Sequence, residues 1–327
     1  MHRVLSLVCT CATLTFIADF SEPAFAHGPP PARHHTVTQS SGELTLLPAT
    51  VAPPASSNVT ITVEGARRVI RANGIPDHDT GPFPNSGNPN RIAPQSYRFE
   101  VPAQPKPASQ TTPLGLFNFG IAVDGVPFDP GAAEWFEGRR GSKWQYAALS
   151  GAVRLGLDAN YAHVQPTGAY HYHGLPTLLL TKLKVSDAAH SPLIGWAADG
   201  FPIYARYGYA TAKDAKSGIK DLRSSYRVKS GDRPSGSGDP GGRYDGTFLA
   251  DYEYVSALGD LDECNGRRTV TPEFPDGTYA YFLTANWPVI PRCFRGAPSR
   301  SFTEERGPQG RRPPHRHPHG GGSPPPR

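Results

Sequence analysis

Three observations predict a mainly β fold, sandwich- or barrel-like, with short helices and long Gly/Pro-rich loops. Proline and glycine number 36 and 35 among 327 residues, and both interrupt helices. Apolar positions hold no sustained 3.6-residue period. Short runs of β-branched and aromatic residues, bounded by Gly, Pro, Asn or Asp, recur along the chain.

Residues 1–26 read as a signal peptide: Arg3 opens a basic start, Val4 to Ile17 is apolar, and Ala24-Phe25-Ala26 is a small-x-small cleavage site. The apolar run is too short to cross a bilayer, and no later segment offers the ~20 apolar residues required, so no integral membrane segment is expected after leader removal. The reading predicts a secreted or periplasmic protein. Residues 27–56 read as a disordered Pro/His/Ser-rich arm. Its first residue, His27, suggests a second reading in which a freed terminal amine and ring bind copper.

Residues 57–298 form the expected β-rich domain, long enough for one large or two small cores. Val59 to Val63 alternates in strand fashion, and Arg67 to Ala72 continues it past a Gly65 turn. Asn73 to Asn90 is a loop containing His78, which is flanked by Asp77 and Asp79. Tyr97 to Val101 and Leu116 to Val123 read as strands, the second entering a hairpin turn at Asp124-Gly125. The phrase Asp-Gly-x-Pro recurs at Asp199, which suggests duplicated β-units on either side of a histidine-rich stretch. Ala132 to Gly138 and Ser142 to Leu149 read as short helices carrying Trp135 and Trp144. Thr278 to Leu283, after the Asp276-Gly277 turn, reads as a strand.

Residues 299–327 read as a disordered basic His/Pro-rich tail. With six arginines against two glutamates it carries most of the formal charge of +5, so the basic character belongs to the tail. No nucleic-acid module is present in the pattern. Cys9 and Cys11 lie in the leader. In an oxidising compartment the remaining pair, Cys264 and Cys293, is expected to form one structural disulfide.

The chemistry concentrates between Leu157 and Pro176. Five of the twelve histidines fall in the body, and three of these, His163, His171 and His173, lie within eleven residues. Tyr170-His171-Tyr172-His173 reads as a strand between turns, so both histidines share one face and both tyrosines the other. A turn at Pro166 to Gly168 would fold His163 back as a third nitrogen. Three imidazoles with one open position suit Zn or Cu. Buried tyrosines with hydrogen-bonded histidines would give the same pattern without a metal.

The Tyr-His-Tyr-His run resembles the signature of the YHYH family of exported bacterial proteins. Asn73-Gly74-Ile75-Pro76 followed by His78, Ala198 to Tyr204, Leu261 to Gly266 and Pro291 to Gly296 resemble it too, covering roughly Ile61 to Gly296 in order. The resemblance implies export and a metal site but no established reaction.

Around the expected site, Tyr170, Tyr172 and Asp199 are candidates to orient the histidines, with Asp199 also a candidate base. Glu134 and His78 are further catalytic candidates, and His78 a possible fourth ligand. Asp260, Asp262 and Glu263 resemble a Ca²⁺ loop in composition, without EF-hand spacing. The leading expectation is a non-catalytic Cu or Zn protein. A metal-dependent hydrolase or oxidase using the same site is the alternative. A third reading, a polysaccharide- or surface-binding module, rests on aromatics such as Tyr204, Tyr207 and Tyr209. No HExxH helix, GxSxG elbow or cysteine nucleophile is present, so enzyme status stays open.

Overall fold

A computed structural model describes residues 35–304 apart from residue 116. The signal-peptide reading, His27 and the tail beyond residue 304 lie outside the described residues. Among the described residues the regular elements are mostly strands. β1 (Val59–Glu64), β2 (Arg67–Ala72) and β3 (Tyr97–Pro102) form a three-stranded antiparallel sheet. An eight-stranded mixed sheet is built from β4 (Gly120–Ala122), β5 (Pro127–Phe128), β6 (Ala162–Val164), β7 (Tyr170–Tyr172), β8 (Gly195–Ala197), β9 (Pro202–Ala205), β10 (Gly266–Thr271) and β11 (Phe274–Leu283). Its order is β10-β11-β9-β8-β4-β5-β7-β6. One core joins the two sheets through Ile70, Phe99, Phe119, Phe128, Ile203 and Tyr281.

The large sheet is internally duplicated. Gly120 to Phe128 reads G-I-A-V-D-G-V-P-F, and Gly195 to Ile203 reads G-W-A-A-D-G-F-P-I. Each phrase makes the same hairpin. Gly125 N–H donates to Ala122 and Gly200 N–H to Ala197, at 2.9 and 2.8 Å, with both glycines at positive φ (82° and 90°) where a side chain would be strained. β4 and β8 pair antiparallel as Gly195↔Ala122, Trp196↔Ile121 and Ala197↔Gly120, a register that is unchanged when the two halves are exchanged.

The equivalence extends outward. Tyr172 pairs in parallel with Phe128, four residues after Asp124. Tyr281 pairs in parallel with Ile203, four residues after Asp199. The edge strands follow suit, with Tyr172↔Ala162 in one half and Tyr281↔Gly266 in the other. The duplication suggested by the Asp-Gly-x-Pro phrases therefore covers four strands in each half.

Several expectations are corrected. Residues 132–138 and 142–149 are not helices: Gly131–Trp135 and Gln145–Ala147 are paired strands joined through a 3-10 turn. Glu137 and Gly138 sit at positive φ (52° and 67°), which breaks a right-handed helix, and Trp144 and Tyr146 gain more by packing on Phe248. The arm does not extend to residue 56 as disordered chain. From His35 onward it lies along the body, with bridges Val37↔Val153, Leu47↔Asp158 and Val51↔Thr80, because the 150–158 segment offers it unpaired backbone. Nor does the body stop at 298. Phe302, on the short helix Ser301–Glu304, is buried and stacks on Phe99 with ring centroids 4.2 Å apart.

Cys264 and Cys293 form the expected disulfide, 29 residues apart. Replacing both by alanine is expected to lower stability by about 3 kcal/mol, the loop-entropy value for this length, measured by denaturant unfolding.

Candidate metal centre

The Gln165–Ala169 turn closes the β6–β7 hairpin, with Gln165 N–H on Ala169 O at 2.9 Å and Gly168 N–H on Gln165 O at 2.8 Å. It sets His171 directly opposite His163. Directly opposed residues share a sheet face, and His173 lies two residues on from His171, so all three rings meet on one side. Their centroids stand 4.7 Å apart in every pairing. One nitrogen from each lies within 4.8 Å of the other two, and all three residues are buried.

Backbone acceptors orient the rings. His163 Nδ1 lies 2.9 Å from Leu155 O, and His171 Nδ1 lies 3.1 Å from Ala169 O. Each contact fixes Nδ1 as the protonated nitrogen, which makes Nε2 the nitrogen that carries a lone pair. His171 Nε2 and His173 Nε2 are 3.0 Å apart, while His173 Nδ1 makes no hydrogen bond to any described residue. Neither tautomer of His173 satisfies both its nitrogens here; a cation between the two Nε2 atoms would let Nε2 serve as a ligand. The donor set thus fits a metal ion. Burial, reinforced by the neighbouring imidazoles, holds His163 and His173 well below the usual histidine pKa, so both stay neutral and ligand-competent at neutral pH.

Two contributors were not visible in the sequence. The Asn88 amide donates to Val164 O, the residue after His163, at 2.9 Å. His35 stacks over His163 with centroids 5.8 Å apart, its Nδ1 on Arg154 O at 3.1 Å. Its place in a Pro-rich arm concealed it.

The tyrosines do not touch the histidine side. They point through the strand to the other face, each onto a buried carboxylate. Tyr170 donates to Asp158 and Tyr172 to Asp124, both at 2.7 Å. Asp158 also accepts N–H groups from Gly81, Asn160 and Ala162, which pins the start of the hairpin. Asp158 escaped notice in the sequence, although Leu157-Asp158 and Leu261-Asp262 are equivalent. Tyr279 donates to Asp262 at 3.0 Å as Tyr170 does to Asp158.

His78 belongs to this second face. Its Nε2 meets the Tyr172 hydroxyl at 2.7 Å and its Nδ1 meets Asp79 O at 2.8 Å, so it is not a fourth ligand. Burial pushes the Asp124 carboxyl up to about 6, against the Tyr172 hydrogen bond, the charge of His78 and the Val126 N–H. Its folded pKa exceeds the unfolded value, so the folded state takes up the proton first and stability rises as pH falls from about 6 towards 4. Denaturant unfolding of metal-free protein at stepped pH is expected to show this gain. Asp124→Asn, which fixes a neutral group, is expected to reduce it, leaving the part due to Asp158, Asp199 and Asp262, which burial also raises.

Asp199 is not available to the histidines either. One of its oxygens accepts from Tyr281 at 2.6 Å and from Gly296 N–H at 2.8 Å, the counterpart of Asp124 in the other half. Glu134 lies on Gly131–Trp135, in the small two-stranded sheet. Asp260, Asp262 and Glu263, expected around Ca²⁺, do not converge as a ligand group among the described residues. Asp260 is taken by Lys220 and Arg223 N–H, and Asp262 by Tyr279 and the N–H groups of Cys264 and Gly266; only the three histidines converge as a group of metal-binding side chains. Tyr204 is fully buried, so it is not presented for sugar stacking.

No helix among the described residues is long and apolar enough to cross a membrane. No curated protein and no solved structure matches the chain. A family model described as YHYH protein matches residues 98–296, which includes the histidine hairpin and most of both halves of the large sheet. With the ordered motifs from Tyr170 to Gly296 on the same scaffold, the chain belongs to the YHYH protein family.

Proposed function

We propose that this chain is an exported metal-binding protein in which His163, His171 and His173 hold one Zn or Cu ion. The observation that carries the reading is the triangle of buried imidazoles at equal spacing. Bound there, such an ion keeps a further coordination position for water or an anion.

The duplicated half supports it independently. His163, His171 and His173 correspond to Arg267, Ala280 and Phe282, on the same strands in the same register. Ala280 and Phe282 are fully buried apolar residues, and Arg267 lies over the Phe282 ring. The scaffold therefore folds without histidines at these places, so their presence in one half answers to binding rather than to architecture. Asp199, the expected proton acceptor, is committed elsewhere. Metal binding is thus the function we infer.

Elemental analysis of protein purified without a histidine tag is expected to find one Zn or Cu per chain, and none after His163, His171 and His173 are all changed to alanine. Equal metal content in both proteins would end the proposal. Export is tested separately by fractionating cells that express the full chain and locating it outside the cytoplasm.

A further inference from the structure

A cavity of about 270 Å³ adjoins the histidine hairpin and has no part in the reading above. Its walls include Leu149, Tyr161, Leu175, Tyr252, Trp287 and Arg292. Tyr161 and Leu175 bind it to the metal centre: each is two residues from a proposed ligand, and Tyr161 O accepts the N–H of His173 at 2.7 Å. Tyr252 and Trp287 both line it and stack face to face, with centroids 4.0 Å apart and planes 2° from parallel, so each ring covers one face of the other.

Arg292 is the one cationic side chain of the lining. Its place is fixed by the adjacent disulfide at Cys293 and by Leu114 N–H on its carbonyl at 2.9 Å. The guanidinium lies 5.9 Å over the Trp287 ring, yet its Nε is buried with no hydrogen-bond partner among the described residues. Burial lowers its pKa to about 10, opposed by the charge of Asp129 and by Tyr252, so it remains positive at neutral pH. That charge also reaches His173 and disfavours its imidazolium form. A partly buried cation against apolar and aromatic walls is costly until an anion meets it.

We propose that this cavity is a binding site for a small organic carboxylate with an apolar body, its carboxylate on Arg292 and its body among the apolar and aromatic lining of Leu149, Leu175 and Tyr252. A single guanidinium balances one negative charge, which favours a monoanion over a phosphate dianion. The planar fork matches a carboxylate. The volume lies near the lower end of ligand pockets, which suits a single-ring acid. The site stands on the cavity and Arg292, not on the metal.

Benzoate and its neutral isostere benzamide are the probes, titrated calorimetrically into the full chain with and without chelation. Benzoate is expected to bind with Kd near or below about 1 mM, and benzamide about tenfold more weakly. Arg292→Gln is expected to weaken benzoate about tenfold and leave benzamide unchanged. Leu44→Trp, which adds bulk to the lining, is expected to weaken both. It also keeps the test open if the Arg292 variant does not fold. Equal binding of benzoate and benzamide, benzoate binding unaffected by either variant, or no binding at tens of millimolar would overturn the proposal. Benzoate binding that persists in the triple-alanine histidine variant separates this site from the metal reading, since it holds whether or not that variant retains metal.

Discussion

His171→Ala combined with His173→Phe is expected to abolish metal binding while leaving the fold intact. The two substitutions install what the equivalent strand already carries at Ala280 and Phe282, both fully buried. Zinc or copper content is expected to fall from one ion per chain to none, because a single remaining imidazole cannot hold a structural-affinity ion. Melting temperature in chelator is expected to stay the same or rise, since two buried polar rings, one with an unsatisfied nitrogen, leave the core. Elemental analysis and thermal melts of both proteins check the two halves of the prediction. A variant that fails to fold even in chelator would show that the histidines are architectural.

Asp158→Ala is expected to be the most destabilising single change, by about 3–5 kcal/mol in denaturant unfolding, and to weaken metal binding as well. The carboxylate accepts from Gly81, Asn160 and Ala162 N–H groups and from the Tyr170 hydroxyl, and its loss leaves several buried donors unmade at once. Those donors fix where β6 begins, and β6 carries His163. Asp262→Ala is the control. It removes the equivalent hub, with Cys264, Gly266 and Tyr279 as donors, and is expected to cost comparable stability without changing metal affinity per folded molecule. Equal loss of metal affinity in both variants would show that the effect is global loosening rather than positioning of His163.

The histidine hairpin was legible because its determinants are local. Strand alternation placed His171 and His173 together, and Pro166 to Gly168 supplied the turn that returned His163. The disulfide followed from having two cysteines outside the expected leader, and β2 and β11 from their β-branched and aromatic runs. What escaped depends on distant partners. Residues 132–138 and 142–149 read as short helices, but Phe248, about a hundred residues later, is what Trp144 and Tyr146 pack around and what draws the segment into strands. Asp199 resembled a histidine partner until the fold brought Tyr281 and Gly296 to it. His35 could not be connected to His163 while its segment read as unstructured; the pairing of residues 37–51 with the body supplies that link.

The central strand pair carries an implication for how such a chain arises. Ile121 and Trp196 face each other across a register that reads the same from either side, with Gly120 and Gly195 each pressed against the opposing backbone. Two identical half-length polypeptides meeting through that strand would form a closed isologous dimer with a complete eight-stranded sheet. Joining them into one polypeptide frees each copy to diverge, which is how a symmetric assembly comes to hold an asymmetric chemistry.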